Sequence, residues 1–161
     1  MVNVIAPIFT NEEGLFLQTI YHPLKLCAEH MREFVLDAYV ECETHDLTTE
    51  ASSWPHRVAD MGPFDVLDVS ATLDDSGRGL TLVVVNRDPE REIETTVHLA
   101  DATFEGDAMA CEVTGKDPDS TNSFDRQEVG VSERSVQTGG HSFVHGFPAS
   151  SITVLRVGVA V

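Results

Sequence analysis

"FDVLDVSATLDDSGRGLTLVVVN", running from Phe64 to Asn86, decides the fold. Leu67, Val69, Ala71 and Leu73 alternate with Asp68, Ser70 and Thr72, the period of a half-buried strand. The polar, glycine-containing run Asp74–Gly79 is a turn signal, and "LTLVVVN" after it is a second apolar run rich in β-branched residues. Two strands joined by a short turn make an antiparallel hairpin.

The same grammar extends in both directions. Downstream come "RDPE" (Arg87–Glu90), "REIETTVHL" (Arg91–Leu99), "AMACEVTG" (Ala108–Gly115) and "SSITVLRVGV" (Ser150–Val159), each a strand or the turn before one. Residues 116–140 read as polar and loop-rich. Upstream, "VLDAYVECET" (Val35–Thr44) alternates and reads as a further strand. Many short strands with turns between them predict an antiparallel β-sandwich over residues 35–161, with no internal repeat.

Before Val35 the period is different. Residues 2–8 are apolar without alternation, which suits a strand covered on both faces. A polar and acidic loop follows, and Pro23 stands where a first helical turn tolerates it. Leu24, Cys27, Met31 and Phe34 then recur at helical spacing with Lys25, Glu29, Arg32 and Glu33 between them, predicting a helix from Pro23 to Phe34. Strand, loop and helix make one β/α unit over residues 1–34, laid out apart from the sandwich.

The composition is that of a globular chain, 161 residues long and 42 % hydrophobic, with a formal net charge of −17. Lys25 and Lys116 are its only lysines. Such a surface repels phosphate backbones and anionic lipid, which argues against nucleic-acid and membrane partners. It also suits a salt-rich cytoplasm, where ions screen self-repulsion. Cys27, Cys42 and Cys111 are isolated and odd in number, so neither a zinc knuckle nor a disulfide framework is expected, and a reducing compartment is the simpler reading. No basic n-region with an apolar h-region opens the chain and no apolar run approaches a membrane span, so a cytoplasmic location is expected.

"NVIAPI", "QTIYHP", "LDVSATLDD", "LTLVVVNRD", "VTGKDPDSTNSFD" and "FPASSITVLRV", in this order across nearly the whole chain, resemble the carboxy-terminal portion of the α-L-arabinofuranosidases of glycoside hydrolase family 51. The resemblance implies that residues 1–34 are the remnant of the last β/α unit of a catalytic (β/α)8 barrel and that residues 35–161 are a jelly-roll-like sandwich. It implies release of terminal arabinofuranosyl residues from polysaccharides and oligosaccharides, with no cofactor. Retaining hydrolysis uses two carboxylates about 5–5.5 Å apart, and in this family both are glutamates on earlier barrel strands, expected upstream of Met1. The expected catalytic set within the chain is therefore empty. Gln18 matches a glutamine that hydrogen-bonds the sugar, a role an amide fills with both donors and an acceptor. "LFLQTIYHP" departs from the more basic, tryptophan-containing family version of that loop. A separate polypeptide carrying the barrel is the implied partner. The family's sandwich also takes strand material from the extreme amino terminus of the full-length protein, so the chain alone is expected to self-associate through residues 2–34.

Other residues are weighed against plainer roles. Glu12 and Glu13 would follow the C-terminal end of a barrel strand, where barrel enzymes keep their active sites, yet adjacent residues point apart and a solvated acidic loop explains them. His141 and His145 have a spacing seen among zinc ligands but lack further ligands, so no metal site is assigned. His22 beside Tyr21 reads as a packing or capping residue rather than a lining of the barrel mouth. "TGKD" lacks the rest of a phosphate loop and reads as a turn. Trp54 with His56 could form a sugar platform, though a lone tryptophan in a proline-containing loop reads as a packing anchor. Three functions stay open: the carboxy-terminal portion of an arabinofuranosidase, which is favoured; a free-standing carbohydrate-binding sandwich, disfavoured by 7 % aromatic content; and an independent enzyme with new carboxylates.

Overall fold

The computed structural model describes residues 6–45 and 63–160. Trp54 and His56 lie outside the described residues, as do residues 2–5 of the expected first strand.

The hairpin at the centre of the sequence is the centre of the fold. β6 (Leu67–Leu73) and β7 (Gly79–Asn86) pair antiparallel from Leu67 opposite Asn86 to Leu73 opposite Leu80. Asp74 builds the turn between them. Its N–H donates to the Gly79 carbonyl at 3.0 Å, and its Oδ1 accepts from the Ser76 hydroxyl at 2.8 Å and the Arg78 N–H at 3.0 Å. Gly77 takes a φ of +69°, which glycine adopts without steric penalty. Hydrogen bonds to the carboxylate itself, first from the Gly79 backbone and then from the Ser76 hydroxyl, hold the Asp74 carboxyl below its ordinary value.

β12 (Ser151–Ala160) lies beside β7, β9 (Thr103–Thr114) beside β12, and β10 (Gly130–Val136) beside β9. β3 (Phe34–Leu36) closes the other edge on β6, making a six-stranded antiparallel sheet in the order β10-β9-β12-β7-β6-β3. β8 (Ile93–His98) and β11 (Ser142–Phe147) form a two-stranded ribbon. The ribbon lies over the sheet: Phe143, Phe147, Ile93 and Val97 pack into one core with Leu67, Leu80, Val84, Phe104, Leu155 and Val157. The mainly β, antiparallel sandwich read from the sequence is the observed architecture.

Both faces of the central strands are buried, and the second cover is helical. α1 (Tyr21–His30) sets Leu26 into a second cluster with Val83, Cys111, Val113, Val129 and Val154 on the face opposite the ribbon. The Thr81 hydroxyl donates to the His30 carbonyl at 2.8 Å, and the Arg32 N–H donates to the Thr72 hydroxyl at 3.0 Å, fixing the helix end over β6 and β7. The helix is therefore packed on the sheet rather than laid out apart from it. Its buried residues are His22 and Leu26, one turn apart, whereas Leu24 and Met31 face outward. It stops at His30, and Met31 is extended. Phe34 is not helical because Phe34, Val35 and Leu36 pair with Leu73, Thr72 and Ala71, so the boundary expected between residues 34 and 35 falls inside β3.

Three further readings change. The acidic loop after Ile8 is the tip of a hairpin, β1 (Ile8–Thr10) with β2 (Leu15–Leu17). The stretch "VLDAYVECET" is not one strand: after Leu36 the chain leaves the sheet, and only β4 (Thr44–His45) pairs again, with β5 (Phe64–Asp65). The loop-rich stretch of residues 116–140 contains β10, an edge strand whose central residues are exposed and polar.

Candidate functional site

Gln18 follows β2 at the foot of the first hairpin and is half-buried. Its backbone is held on both sides: its N–H donates to the Pro7 carbonyl at 2.9 Å, and its carbonyl accepts from the Tyr21 N–H at 2.9 Å. The first bond continues the β1–β2 ladder and the second starts α1. Gln18 thus stands at the joint between hairpin and helix, with its amide free of other hydrogen bonds among the described residues.

The loop between β9 and β10 reaches this joint. Asn122, only 6 % exposed, donates from Nδ2 to the Leu17 carbonyl at 2.9 Å. The ring of Phe124 meets that of Phe16 edge-on at 4.8 Å, and Phe16 stacks on Phe9 at 5.1 Å with planes 7° apart. His22 is buried beside the same loop. Burial and then the Lys25 charge lower its proton affinity, opposed by a hydrogen bond to the Val129 backbone, so packing is its observed role. Neither Asn122 nor Phe124 was assigned a role from the sequence, where both sit in a polar stretch with no periodicity.

Between Leu15, Phe16, Leu17 and residues 122–127 lies an open cleft of about 460 Å³. Its walls carry the aromatic edge of Phe124 and the polar ends of Asp125, Arg126 and Gln127.

Glu12 and Glu13 are exposed at the hairpin tip. The Asn11 side chain caps that turn, its Oδ1 accepting from the N–H groups of Glu13 and Gly14 at 2.9 Å. Both carboxyls are exposed, and nothing among the described residues sets them facing one another across a substrate, the arrangement a glycosidase needs.

His141 and His145 are separated by their partners. His141 Nδ1 lies 2.8 Å from the Ala102 carbonyl. His145, 3 % exposed, lies inside the sandwich with Nε2 3.5 Å from Glu112, which Arg134 pairs at 2.8 Å. Burial chiefly, and then Arg134, push His145 below its ordinary value, while Glu112 and Glu92 pull it up. Among the described residues no group of three or more His, Cys, Asp or Glu side chains could hold a metal ion. "TGKD" leads into a turn closed by the Ser120 N–H donating to the Asp117 carbonyl at 3.1 Å. No helix among the described residues is long and apolar enough to cross a membrane.

Comparison with known proteins gives this geometry a setting. The chain is 36 % identical to the probable α-L-arabinofuranosidase C of Aspergillus clavatus and 37 % identical to that of Aspergillus terreus. Each match covers 96 % of this chain and 28 % of the relative, so the chain spans just over a quarter of the length of these curated relatives. Its fold matches part of the α-L-arabinofuranosidase of Thermotoga maritima, solved as an arabinose complex, with a TM-score of 0.76 at 22 % identity over 95 % of this chain and 31 % of that one. The family 51 enzyme of Thermotoga petrophila matches at 0.73 and 23 %, over 94 % and 31 %. The family model described as the α-L-arabinofuranosidase C-terminal domain matches residues 1–151, and the chain belongs to that family.

Proposed function

We propose that this chain serves as the carboxy-terminal part of an enzyme that releases terminal arabinofuranosyl residues from arabinose-containing polysaccharides and oligosaccharides, as a step in L-arabinose metabolism. The observation that carries the reading is the lopsided coverage: 96 % of this chain against 28 % of its curated relatives. The remaining length, carried by a separate polypeptide or by further sequence of the same protein, supplies the barrel and both catalytic carboxylates. The segment ahead of β3 borders that barrel, and Gln18 offers its amide to the hydroxyls of the bound furanose.

The outward surface of this segment supports the assignment. Ile8, Leu15, Ile20, Leu24 and Met31 are all exposed along it, and a barrel seated on this segment would cover them. Without its barrel the chain self-associates through it. Among the described residues, a second open surface is the groove of about 530 Å³ between sheet and ribbon, where Leu36, Val69, Leu82 and Val97 line a space beside β8. An extended segment from outside residues 1–161 would complete the two-stranded layer there. The cysteines Cys27, Cys42 and Cys111 are free thiols, which supports a reducing, cytoplasmic setting. A free-standing carbohydrate-binding module is the second reading, but its candidate platform, Trp54 with His56, lies outside the described residues.

The test is reconstitution. The chain is co-expressed with the portion of the Aspergillus clavatus relative that precedes its matched segment, and hydrolysis of 4-nitrophenyl α-L-arabinofuranoside is measured. Turnover by the co-purified complex and by neither part alone is expected. A stable complex without turnover contradicts the proposal.

A further inference from the structure

The amide of Asn122 is saturated. Nδ2 donates to the carbonyls of Leu17 and Val129, and Oδ1 accepts from the N–H groups of Glu128 and Val129, all four at 2.9 Å. Three of these bonds fold the loop onto itself. The fourth crosses 105 residues to the one immediately before Gln18.

That crossing links the sandwich directly to the loop that carries Gln18. The Leu17 carbonyl, the Gln18 N–H and the Gln18 carbonyl are held by Asn122, Pro7 and Tyr21 respectively, so three successive polar groups of the backbone have fixed partners. Phe124, two residues from Asn122, holds Phe16 from the side. A buried side chain with every donor and acceptor engaged has one arrangement, and displacing it leaves polar groups unpaired. We propose that Asn122 is a positioning residue for Gln18, so that the loop of the sandwich between β9 and β10 sets where the Gln18 amide stands in the arabinofuranosyl pocket. This rests on the reading of the chain as part of an arabinofuranosidase.

The residue type fits the task. An aspartate here could accept from the Glu128 and Val129 N–H groups but would turn a carboxylate oxygen toward the carbonyls of Leu17 and Val129, replacing both Nδ2 hydrogen bonds with repulsion. Asn122→Asp therefore cuts the link at nearly constant volume.

The experiment has two arms. In the isolated chain, amide hydrogen exchange is measured by NMR for the wild type and Asn122→Asp. Exchange at Gln18 is expected to rise about tenfold or more, the loss of roughly one buried hydrogen bond, beyond any change at Val83 and Val154 in the core. Equal acceleration at all three sites, or none at Gln18, overturns the proposal. If Asn122→Asp does not fold, Phe124→Ala, at an exposed position, removes the neighbouring contact of the same loop with Phe16 and is expected to raise Gln18 exchange selectively. The second arm is a double-mutant cycle in the reconstituted enzyme: Asn122→Asp should lower kcat/KM about tenfold with Gln18 present and have little further effect in Gln18→Ala. Fully additive losses overturn positioning while leaving the enzyme reading intact. A Gln18→Ala enzyme of wild-type activity overturns the pocket role itself.

Discussion

Asn86 binds Phe147 across the sandwich: its Nδ2 donates to the Phe147 carbonyl at 3.0 Å, tying the end of β7 in the sheet to the end of β11 in the ribbon. The same amide reaches the carbonyls of Pro148 at 3.0 Å and Arg91 at 2.9 Å, and its Oδ1 accepts from the Asp88 N–H at 2.9 Å. Asn86 is 1 % exposed, so water cannot replace these bonds. Asn86→Ala should cost about 2–4 kcal/mol, because it strands buried backbone groups as well as deleting a partner. Chemical denaturation of the two proteins measures it, and a loss below about 0.5 kcal/mol, the scale of an ordinary surface substitution, would contradict the account.

The Phe147 side chain adds packing to that polar tie. It is 1 % exposed and meets His145 edge-on at 4.7 Å. Phe147→Ala should cost about 3–5 kcal/mol through lost transfer energy and a cavity between the layers. Phe147→Leu should cost distinctly less. A thermal midpoint unchanged by Phe147→Ala would mean that the ribbon does not stabilise the sheet.

Acid should weaken the fold in two windows. The folded values of His145, His22 and His30 lie below the ordinary 6.5, each chiefly through burial. The unfolded chain therefore binds protons more readily, and stability complete above about pH 6.5 declines as pH falls through the folded values. Asp88 acts lower. The Glu90 N–H, then the Arg91 side chain and N–H, hold its carboxyl at about 2 against an ordinary 3.8. Its contribution is complete above about pH 4 and disappears as pH falls through about 2. Carbon-detected NMR titration of Asp88 and of the His145 ring checks both, and an Asp88 midpoint near 3.8 would contradict the hydrogen-bonded turn.

Salt should act in the opposite sense. With a formal charge of −17, the folded chain repels itself, and the Debye length falls to about 3 Å at 1 M. The thermal midpoint should rise between low and molar potassium chloride. An unchanged or falling midpoint would reject adaptation to a salt-rich cytoplasm.

What the sequence made legible was whatever carries its own period or turn chemistry. The β6–β7 hairpin announced itself through alternation and Asp74–Gly79, β8 through alternation of half-buried and exposed residues, and β9 and β12 through apolar runs with buried residues. β10 did not, because an exposed edge strand of Ser132, Glu133, Arg134 and Ser135 has no apolar face to show. The end of α1 was overrun because Met31 and Phe34 keep helical spacing, whereas pairing of Phe34 with Leu73 decides the local structure. The β1–β2 hairpin had a readable signal in Asn11 and Gly14, three residues apart around Glu12 and Glu13. For the candidate site, Gln18 was proposed through family resemblance alone. Asn122 was not, since its deciding partner, Leu17, lies 105 residues away.

The central claim is that this chain contributes a sugar-facing amide and a supporting sandwich but no catalytic carboxylates. The most direct measurement is hydrolysis of 4-nitrophenyl α-L-arabinofuranoside by the purified chain alone, beside its Glu12→Gln and Glu13→Gln variants. The account predicts no turnover above the buffer rate for any of the three. Turnover by the wild-type chain that disappears in either variant would contradict it and make residues 1–161 an enzyme in their own right.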